Sequence, residues 1–131
     1  MPESTAHGFG RVLVAVYAVF AIAATARSSV QIATRFDDAP LAYLLSAFAG
    51  VVYIVATVAL GLGQNATRRV AYAAIIIELI GVVTVGILSI VESDWFPDAT
   101  VWSDFGQGYG YVPLFLPFIG LWWLRRTRDA D

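Results

Sequence analysis

The chain has 131 residues, of which 59% are apolar and 14% are charged, against about 25% charged residues in ordinary soluble domains. The absence of cysteine excludes disulfides and thiolate metal sites, and a single histidine excludes histidine-cluster metal sites and bis-histidine haem ligation within one chain. The net charge of −2 says little, because in membrane proteins the placement of Arg and Lys matters more than their sum. The apolar residues fall in four blocks, so the composition predicts a single-domain, all-α, polytopic membrane protein.

The first apolar block runs from Val12 to Ala26, and small or polar residues recur at helical spacing beyond it as far as Arg35. We therefore predict a helix over about residues 10–35. The small residues at 24–26 would also suit a signal-peptide cleavage site, and we favour the retained helix. The next residues predict a turn, in which Asp37 or Asp38 caps a helix whose first turn holds Pro40.

A second helix is predicted over about 40–62 and a third over about 69–91, joined by a short polar loop that Arg68 and Arg69 close. Glu78 lies inside the third block. Small residues share its side of the helix, and Ile76, Ile80 and other bulky residues lie opposite. Because small residues let helices pack closely, we expect Glu78 to face the interior of a bundle rather than lipid.

Depth along the helices predicts a buried cluster. Tyr17, Tyr53 and Glu78 each lie about 9–14 Å from the same membrane surface at 1.5 Å per residue, with Thr57 one turn away. Desolvation disfavours a charged carboxylate, so we expect Glu78 to be protonated near neutral pH. Three roles fit: a structural hydrogen-bonded knot, a proton- or cation-binding carboxylate in a transport path, or a site for a lipid or quinone headgroup.

The loop after the third helix is rich in aromatic residues. Membrane interfaces favour Trp and Tyr, so it is expected either to lie on the membrane or to bind a partner or lipid. Its aromatic residues are Trp95, Phe96, Trp102, Phe105, Tyr109 and Tyr111.

The fourth apolar block, Val112 to Leu124, is too short to span a bilayer as a straight helix. We predict a helix over about 105–124 that passes through several glycines and is kinked by prolines, or a segment that dips into the membrane before continuing. At its end, aromatic rings beside guanidinium groups are typical of an inner-leaflet anchor. This anchor consists of Trp122, Trp123, Arg125 and Arg126.

The arginines predict the topology, because cytoplasmic loops carry an excess of basic residues. Most of them would lie on one side of four up-and-down helices: Arg11, Arg68, Arg69, Arg125, Arg126 and Arg128. Only Arg27 and Arg35 would lie on the other side. The prediction is a multi-pass plasma-membrane protein with both termini in the cytoplasm and the aromatic loop outside.

This layout, with four helices, no Lys or Cys and a long aromatic loop before a short last helix, resembles the uncharacterised small integral membrane proteins of high-GC Gram-positive bacteria. The resemblance implies a four-helix membrane fold and no assigned activity. Small multidrug-resistance transporters are also four-helix proteins of similar size with one membrane Glu, but their Glu is in the first helix, whereas Glu78 is in the third.

The sequence contains no nucleophile elbow, phosphate-binding loop or zinc-protease motif, and we expect no cofactor, no metal and no nucleic-acid partner. We predict a non-enzymatic accessory or assembly subunit of a larger envelope or respiratory complex, which contacts lipids and another membrane protein or a second copy of itself. The alternatives are a proton-coupled transporter, dimeric and dependent on Glu78, and a lipid- or quinone-binding protein. A lipid-modifying enzyme would have only Asp94, Asp98 and Asp104 as general acids and bases.

Overall fold

The computed structural model describes residues 8–127, and in this range it is all-helical, with no strand. Four α-helices follow one another: α1 (Phe9–Arg35), α2 (Pro40–Leu62), α3 (Asn65–Val91) and α4 (Val112–Thr127). Short 3-10 segments lie at Phe36–Asp38, Ser93–Trp95 and Ser103–Tyr109. The all-helical fold class predicted from composition is confirmed.

Three segments are long and apolar enough to cross a membrane. They are Phe9–Asp38, Pro40–Leu62 and Asn65–Val91, within which an 18-residue window has a mean hydropathy of 1.9, 2.2 and 2.6, respectively. The fourth helix, α4, has 16 residues, which is about 24 Å at 1.5 Å per residue and shorter than a hydrocarbon core of about 30 Å. Membrane-spanning length is therefore established for α1, α2 and α3.

The start of α4 differs from the prediction. The helix begins at Val112 rather than near residue 105, because Asp104, Phe105 and Gly106 have φ values of 52°, 60° and 84°. These left-handed values interrupt the helix, and a proline at the second helical position suits a helix start. The glycine-rich stretch is therefore a 3-10 segment with a left-handed kink, separate from α4.

Both ends of the α2–α3 turn are set by local chemistry. Gly63 ends α2 with a φ of 63° and donates its N–H to the carbonyl of Ala59. Gln64 and Thr67 form a capping box, so α3 begins at Asn65, four residues before the predicted start. At the other connection Pro40 occupies the first turn of α2 as predicted, but the N-cap residue Ala39 makes no side-chain cap, so neither aspartate caps α2.

Contacts between distant parts of the chain define the two ends of the bundle. Phe9 packs with its ring centroid 5.5 Å from that of Trp123, and Arg68 donates to the hydroxyl of Thr127 at 2.8 Å. We call this end, which holds the start of α1, the α2–α3 turn and the finish of α4, the terminal end. The opposite end, where Asp98 accepts a hydrogen bond from Tyr43, is the loop end.

The two faces of α3 are those predicted from its small-residue stripe. Glu78 has an exposed fraction of 0%, and the small residues on its side, Ala71 and Ala74, are buried. Ile76 and Ile80, on the opposite side, are 44% and 60% exposed. This arrangement directs the acid into the protein and the bulky side chains outward, where lipid covers the apolar surface of a spanning helix.

Candidate functional site

A hydrogen bond between α1 and α3 lies at the centre of the bundle. The Tyr17 hydroxyl donates to Oε1 of Glu78 at 2.6 Å, and both side chains have an exposed fraction of 0%. Oε2 of Glu78 has no hydrogen-bond partner among residues 8–127. The pair is therefore closed to solvent, and within residues 8–127 only one of the two carboxyl oxygens is hydrogen-bonded.

A second buried hydrogen bond connects α2 to the loop after α3. The indole Nε1 of Trp102 donates to the Tyr53 hydroxyl at 2.9 Å, and Trp102 is only 1% exposed. The Tyr53 ring lies 6.1 Å from the Tyr17 ring and 6.3 Å from the Trp102 ring, measured between centroids. We call Tyr17, Tyr53, Glu78 and Trp102 the acid–phenol cluster.

The structure brings together the three residues that depth along the helices had grouped, Tyr17, Tyr53 and Glu78. Thr57 has a different place: its hydroxyl donates to the backbone carbonyl of Tyr53 at 2.6 Å, within its own helix. Such back-bonding satisfies a hydroxyl in an apolar helix. Thr57 therefore makes no side-chain hydrogen bond to the other three.

The helix α4 closes the side of the cluster at Gly120. A Cβ atom built on this glycine would lie 3.1 Å from the Tyr17 hydroxyl oxygen and 2.9 Å from Cδ1 of Ile75. Only a residue without a side chain lets the backbone of α4 come this close. All four helices therefore contribute to the surroundings of the Tyr17–Glu78 pair.

Two glycines of α3 receive aromatic rings from the loop. A Cβ atom on Gly81 would collide with the six-membered ring of Trp102, and one on Gly86 would collide with the ring of Phe105. Because α3 rises about 1.5 Å per residue, Gly81 lies about 15 Å inside the Val91 end of the helix. The loop therefore folds back into the bundle instead of lying across its surface.

Trp102 thus differs from the exposed position expected for the aromatic loop, because it is inserted between α2 and α3. Trp95 and Tyr111 are 50% and 42% exposed, and Phe96, Phe105 and Tyr109 are half-buried. Sequence reasoning missed the signal of Gly81 and Gly86 in α3. These glycines are five residues apart and inside the helix, so they neither form one lipid-facing stripe nor mark a helix end. A role of the exposed aromatics in binding a partner stays a prediction.

The acids of the loop serve different neighbours. Asp98 accepts from the Tyr43 hydroxyl at 3.0 Å and from the backbone N–H of Ala99 at 2.9 Å. Asp104 accepts from the Ser89 hydroxyl at 3.5 Å, and its own backbone N–H donates to the same oxygen at 2.8 Å. Within residues 8–127 no three acidic or histidine side chains are grouped so as to hold a metal ion.

The predicted anchor at the terminal end has one buried and one exposed ring. Trp122 is 52% exposed, and the guanidinium of Arg126 lies 5.7 Å from its ring centroid, whereas Trp123 is only 4% exposed. Arg125 and Arg126 are exposed. Sequence reasoning did not find that Arg68 is buried and donates to the Leu124 carbonyl and the Thr127 hydroxyl.

Arg68 acts where α4 ends. The last carbonyls of a helix have no partner within it and carry the negative end of the helix dipole, so a cation there is favourable. The side chain comes from the first turn of α3, which lies at the same end of the bundle. It therefore holds the end of α4 against α3.

Comparison with known protein families, with curated proteins and with solved structures finds no match to this chain. The features that bear on function are therefore the acid–phenol cluster and the surfaces of the molecule.

Proposed function

We propose that the chain crosses the plasma membrane four times, with both termini in the cytoplasm. Five arginines of the terminal end support this orientation: Arg11, Arg68, Arg69, Arg125 and Arg126. The insertion of Trp102 and Phe105 beside α3 supports a fourth crossing, in which the folded-back loop adds the length that α4 lacks.

The absence of native cysteine makes this topology simple to test. Single substitutions Ala66→Cys at the terminal end and Asp94→Cys at the loop end place one thiol on each side. In intact cells a membrane-impermeant maleimide is expected to label the second and to spare the first until the cells are lysed. Labelling of Ala66→Cys in intact cells would overturn the orientation.

For function, we propose a non-enzymatic accessory or assembly subunit of a larger envelope or respiratory complex. The observation that supports this best is the closed state of the acid–phenol cluster. The Tyr17–Glu78 and Tyr53–Trp102 hydrogen bonds each join two separate parts of the chain, and none of these side chains is more than 1% exposed. Polar groups paired in this way hold helices together, which favours a structural role for the cluster.

Contact with a partner is then expected at the loop end, where the exposed Trp95 and Tyr111 lie on a segment anchored to α3 through Trp102 and Phe105. In protein interfaces a few residues carry most of the binding energy, and these are often large aromatic side chains. A segment that is already held in place also loses little conformational entropy when it binds. The loop end therefore has both features of a docking surface.

The experiment places a photo-crosslinking amino acid at residue 95 or residue 111 in native membranes. A discrete protein adduct is expected from both positions. The matched control is residue 80, where Ile80 is 60% exposed on the apolar face of α3 and only lipid adducts are expected. If positions 95 and 111 give lipid adducts alone, and the protein purifies in mild detergent without companions, the subunit proposal fails.

A second candidate, proton-linked transport as a dimer, is favoured by one observation: Oε2 of Glu78 has no hydrogen-bond partner among residues 8–127. A buried acid with an unused oxygen can take up or release a proton if the bundle opens. Glu78→Gln in reconstituted liposomes is then expected to abolish dissipation of a pH gradient, while Glu92→Gln, at the exposed end of α3, leaves it unchanged. Equal flux in both variants would remove Glu78 from any transport mechanism.

A further inference from the structure

An open cleft of about 330 Å³ lies at the loop end, where the first two membrane-length helices meet. It is lined by Arg35, Asp38, Tyr43, Pro97 and Asp98. Arg35 is the last residue of α1, and Tyr43 lies in the first turn of α2. Since both helices end here, the cleft lies at the level where lipid headgroups border the hydrocarbon core. None of these residues belongs to the acid–phenol cluster.

The negative side of the cleft is fixed in orientation. Oδ2 of Asp98 accepts from the buried Tyr43 hydroxyl at 3.0 Å, and Oδ1 accepts from the N–H of Ala99 at 2.9 Å. Tyr43 is itself only 1% exposed, so it cannot turn away without disturbing the packing of α2. The carboxylate of Asp98 is therefore held in one position, while its side chain remains 34% exposed and can contact a ligand.

The positive side is available for an additional contact. The nearest nitrogen of Arg35 lies 4.0 Å from Oδ2 of Asp98, which exceeds hydrogen-bond length, and its side chain is 54% exposed. The Arg35 guanidinium therefore has N–H donors that are not hydrogen-bonded to Asp98, and their planar arrangement suits a phosphate. Asp38, exposed on the wall of the same cleft, adds a second carboxylate.

A polar group with unmet hydrogen bonds lies one helical turn before Arg35 on the same face of α1. Gln31 is 2% exposed, and neither its amide nitrogen nor its amide oxygen has a partner among residues 8–127. Buried amides in proteins are almost always satisfied by protein or by an ordered molecule. Gln31 does not line the cleft, so its amide is a neighbouring buried group with unmet hydrogen bonds and is not a contact of the ligand.

We propose that this cleft binds the zwitterionic headgroup of a phospholipid with a primary amine, with the phosphate on Arg35 and the ammonium between Asp98 and Asp38. A primary ammonium donates three hydrogen bonds, which two carboxylates accept, whereas a quaternary ammonium donates none. An anionic headgroup without an amine meets two negative side chains and one positive one. The chemistry therefore selects phosphatidylethanolamine over phosphatidylcholine and phosphatidylglycerol.

The position of the cleft favours a membrane lipid over a soluble zwitterion with the same headgroup as its ligand. The α2 residue that follows Tyr43, Leu44, is 52% exposed and offers apolar surface for an acyl chain at the same end of the helix. A soluble phosphoethanolamine gains nothing from that surface, because burial of CH₂ groups supplies the additional affinity of a lipid.

The test is native mass spectrometry of the purified full chain, titrated with phosphatidylethanolamine, phosphatidylcholine and phosphatidylglycerol that carry identical dioleoyl chains. Phosphatidylethanolamine is expected to bind at least about tenfold more tightly than the other two, a difference of about 1.4 kcal/mol, since only its ammonium donates hydrogen bonds to Asp98 and Asp38. Asp98→Asn and Asp38→Asn are each expected to remove most of this preference, whereas Arg35→Gln is expected to weaken the binding of all three lipids, because all three carry the phosphate.

The controls are Asp94→Asn, an exposed acid at the same end outside the cleft, and Arg69→Gln, an exposed arginine at the terminal end; both are expected to keep the wild-type preference. Asp38→Asn alters an exposed side chain, so it tests the proposal even if a change at Asp98 disturbs folding. Equal binding of the three lipids, a preference that survives Asp38→Asn, or unchanged binding of all three lipids to the Arg35→Gln variant would overturn the proposal. Binding of soluble glycerophosphoethanolamine as tightly as the lipid would overturn the membrane source of the ligand.

Discussion

The two connections on either side of α3 are built in opposite ways. The α2–α3 turn consists of Gly63 and Gln64 and is held by bonds within a few residues: a left-handed glycine and a capping box with Thr67. The α3–α4 connection, residues 92–111, is held by contacts with residues far away in the chain, above all Trp102 against Gly81 and its hydrogen bond to Tyr53.

The difference shows where each connection gets its stability. The short turn depends on hydrogen bonds at the helix ends, each of which contributes about 1 kcal/mol. The long connection depends on the close packing of an indole inside the bundle, where many small dispersion contacts together contribute several times as much. It also maintains left-handed backbone at Asp104 and Phe105, a conformation that costs about 1–3 kcal/mol for each residue without a glycine's freedom. The long connection should therefore be the more sensitive of the two.

The largest effect is expected from Trp102→Ala. Removing a fully buried indole leaves a cavity between α2 and α3, and the free energy of unfolding in detergent should fall by about 3–5 kcal/mol. The matched control is Trp95→Ala in the same connection, where the ring is 50% exposed and a change within about 0.5 kcal/mol is expected. If the two variants unfold at the same denaturant concentration, the inserted position of Trp102 is wrong.

The next effect is expected from Gly81→Ala, which adds a methyl group beneath the rigid Trp102 ring. Overpacking of this kind costs about 1–3 kcal/mol, and it should also raise the rate at which proteases cleave residues 97–111. On α2, Gly61→Ala serves as the control, because its Cβ would lie 3.8 Å from Cγ1 of Val14, an ordinary contact. That variant should be as stable as the wild type or more so, since alanine is the better helix former.

A smaller effect is expected from Tyr53→Phe, which removes the acceptor for the Trp102 indole and leaves the rings in place. Polar contacts between helices in membrane proteins contribute about 0.6 kcal/mol on average and about 1.7 kcal/mol at most. A double-mutant cycle with Trp102→Phe should return a coupling energy in this range. Tyr72→Phe, in a half-buried position on α3, should show no coupling to Trp102→Phe.

The smallest effect is expected from Gln64→Ala, which removes one half of the capping box at the start of α3. The expected loss is about 0.5–1 kcal/mol, confined to fraying of the first turn and visible as faster amide hydrogen exchange there. Gln107→Ala, an exposed glutamine in the long connection, should leave stability and exchange unchanged. A loss at Gln64 as large as that at Trp102 would contradict the contrast between the two connections.

Much of the bundle could be predicted because helical periodicity and depth depend only on sequence. Small residues on the side of Glu78 predicted that it faces protein, and counting residues from the membrane surface placed Tyr17 and Tyr53 at its level. The same count could not determine which groups pair. Whether Tyr53 bonds to Glu78 or to Trp102 depends on a loop whose path has no helical period.

Residue type alone misled at three places. From residue type, Trp102 was expected at the membrane interface and Arg68 at the membrane surface. The glycines before Pro113 were expected within a helix. In the first two cases a neighbour distant in sequence decided the outcome: a glycine of α3 receives the indole, and the end of α4 receives the guanidinium. In the third case, left-handed backbone at Asp104, Phe105 and Gly106 interrupts the helix. A chain read residue by residue contains no information on which helix end a buried cation will meet.

What the order of amino acids fixed unaided was an all-helical protein with three stretches long enough for a bilayer and one acid turned inward, because hydropathy and a 3.6-residue period act locally. What only the assembled molecule decided was how residues 92–111 fold back and which partners the buried polar groups choose. The physical reason is that an inserted ring and a shared hydrogen bond stabilise the fold only after two segments that are distant in sequence have come together.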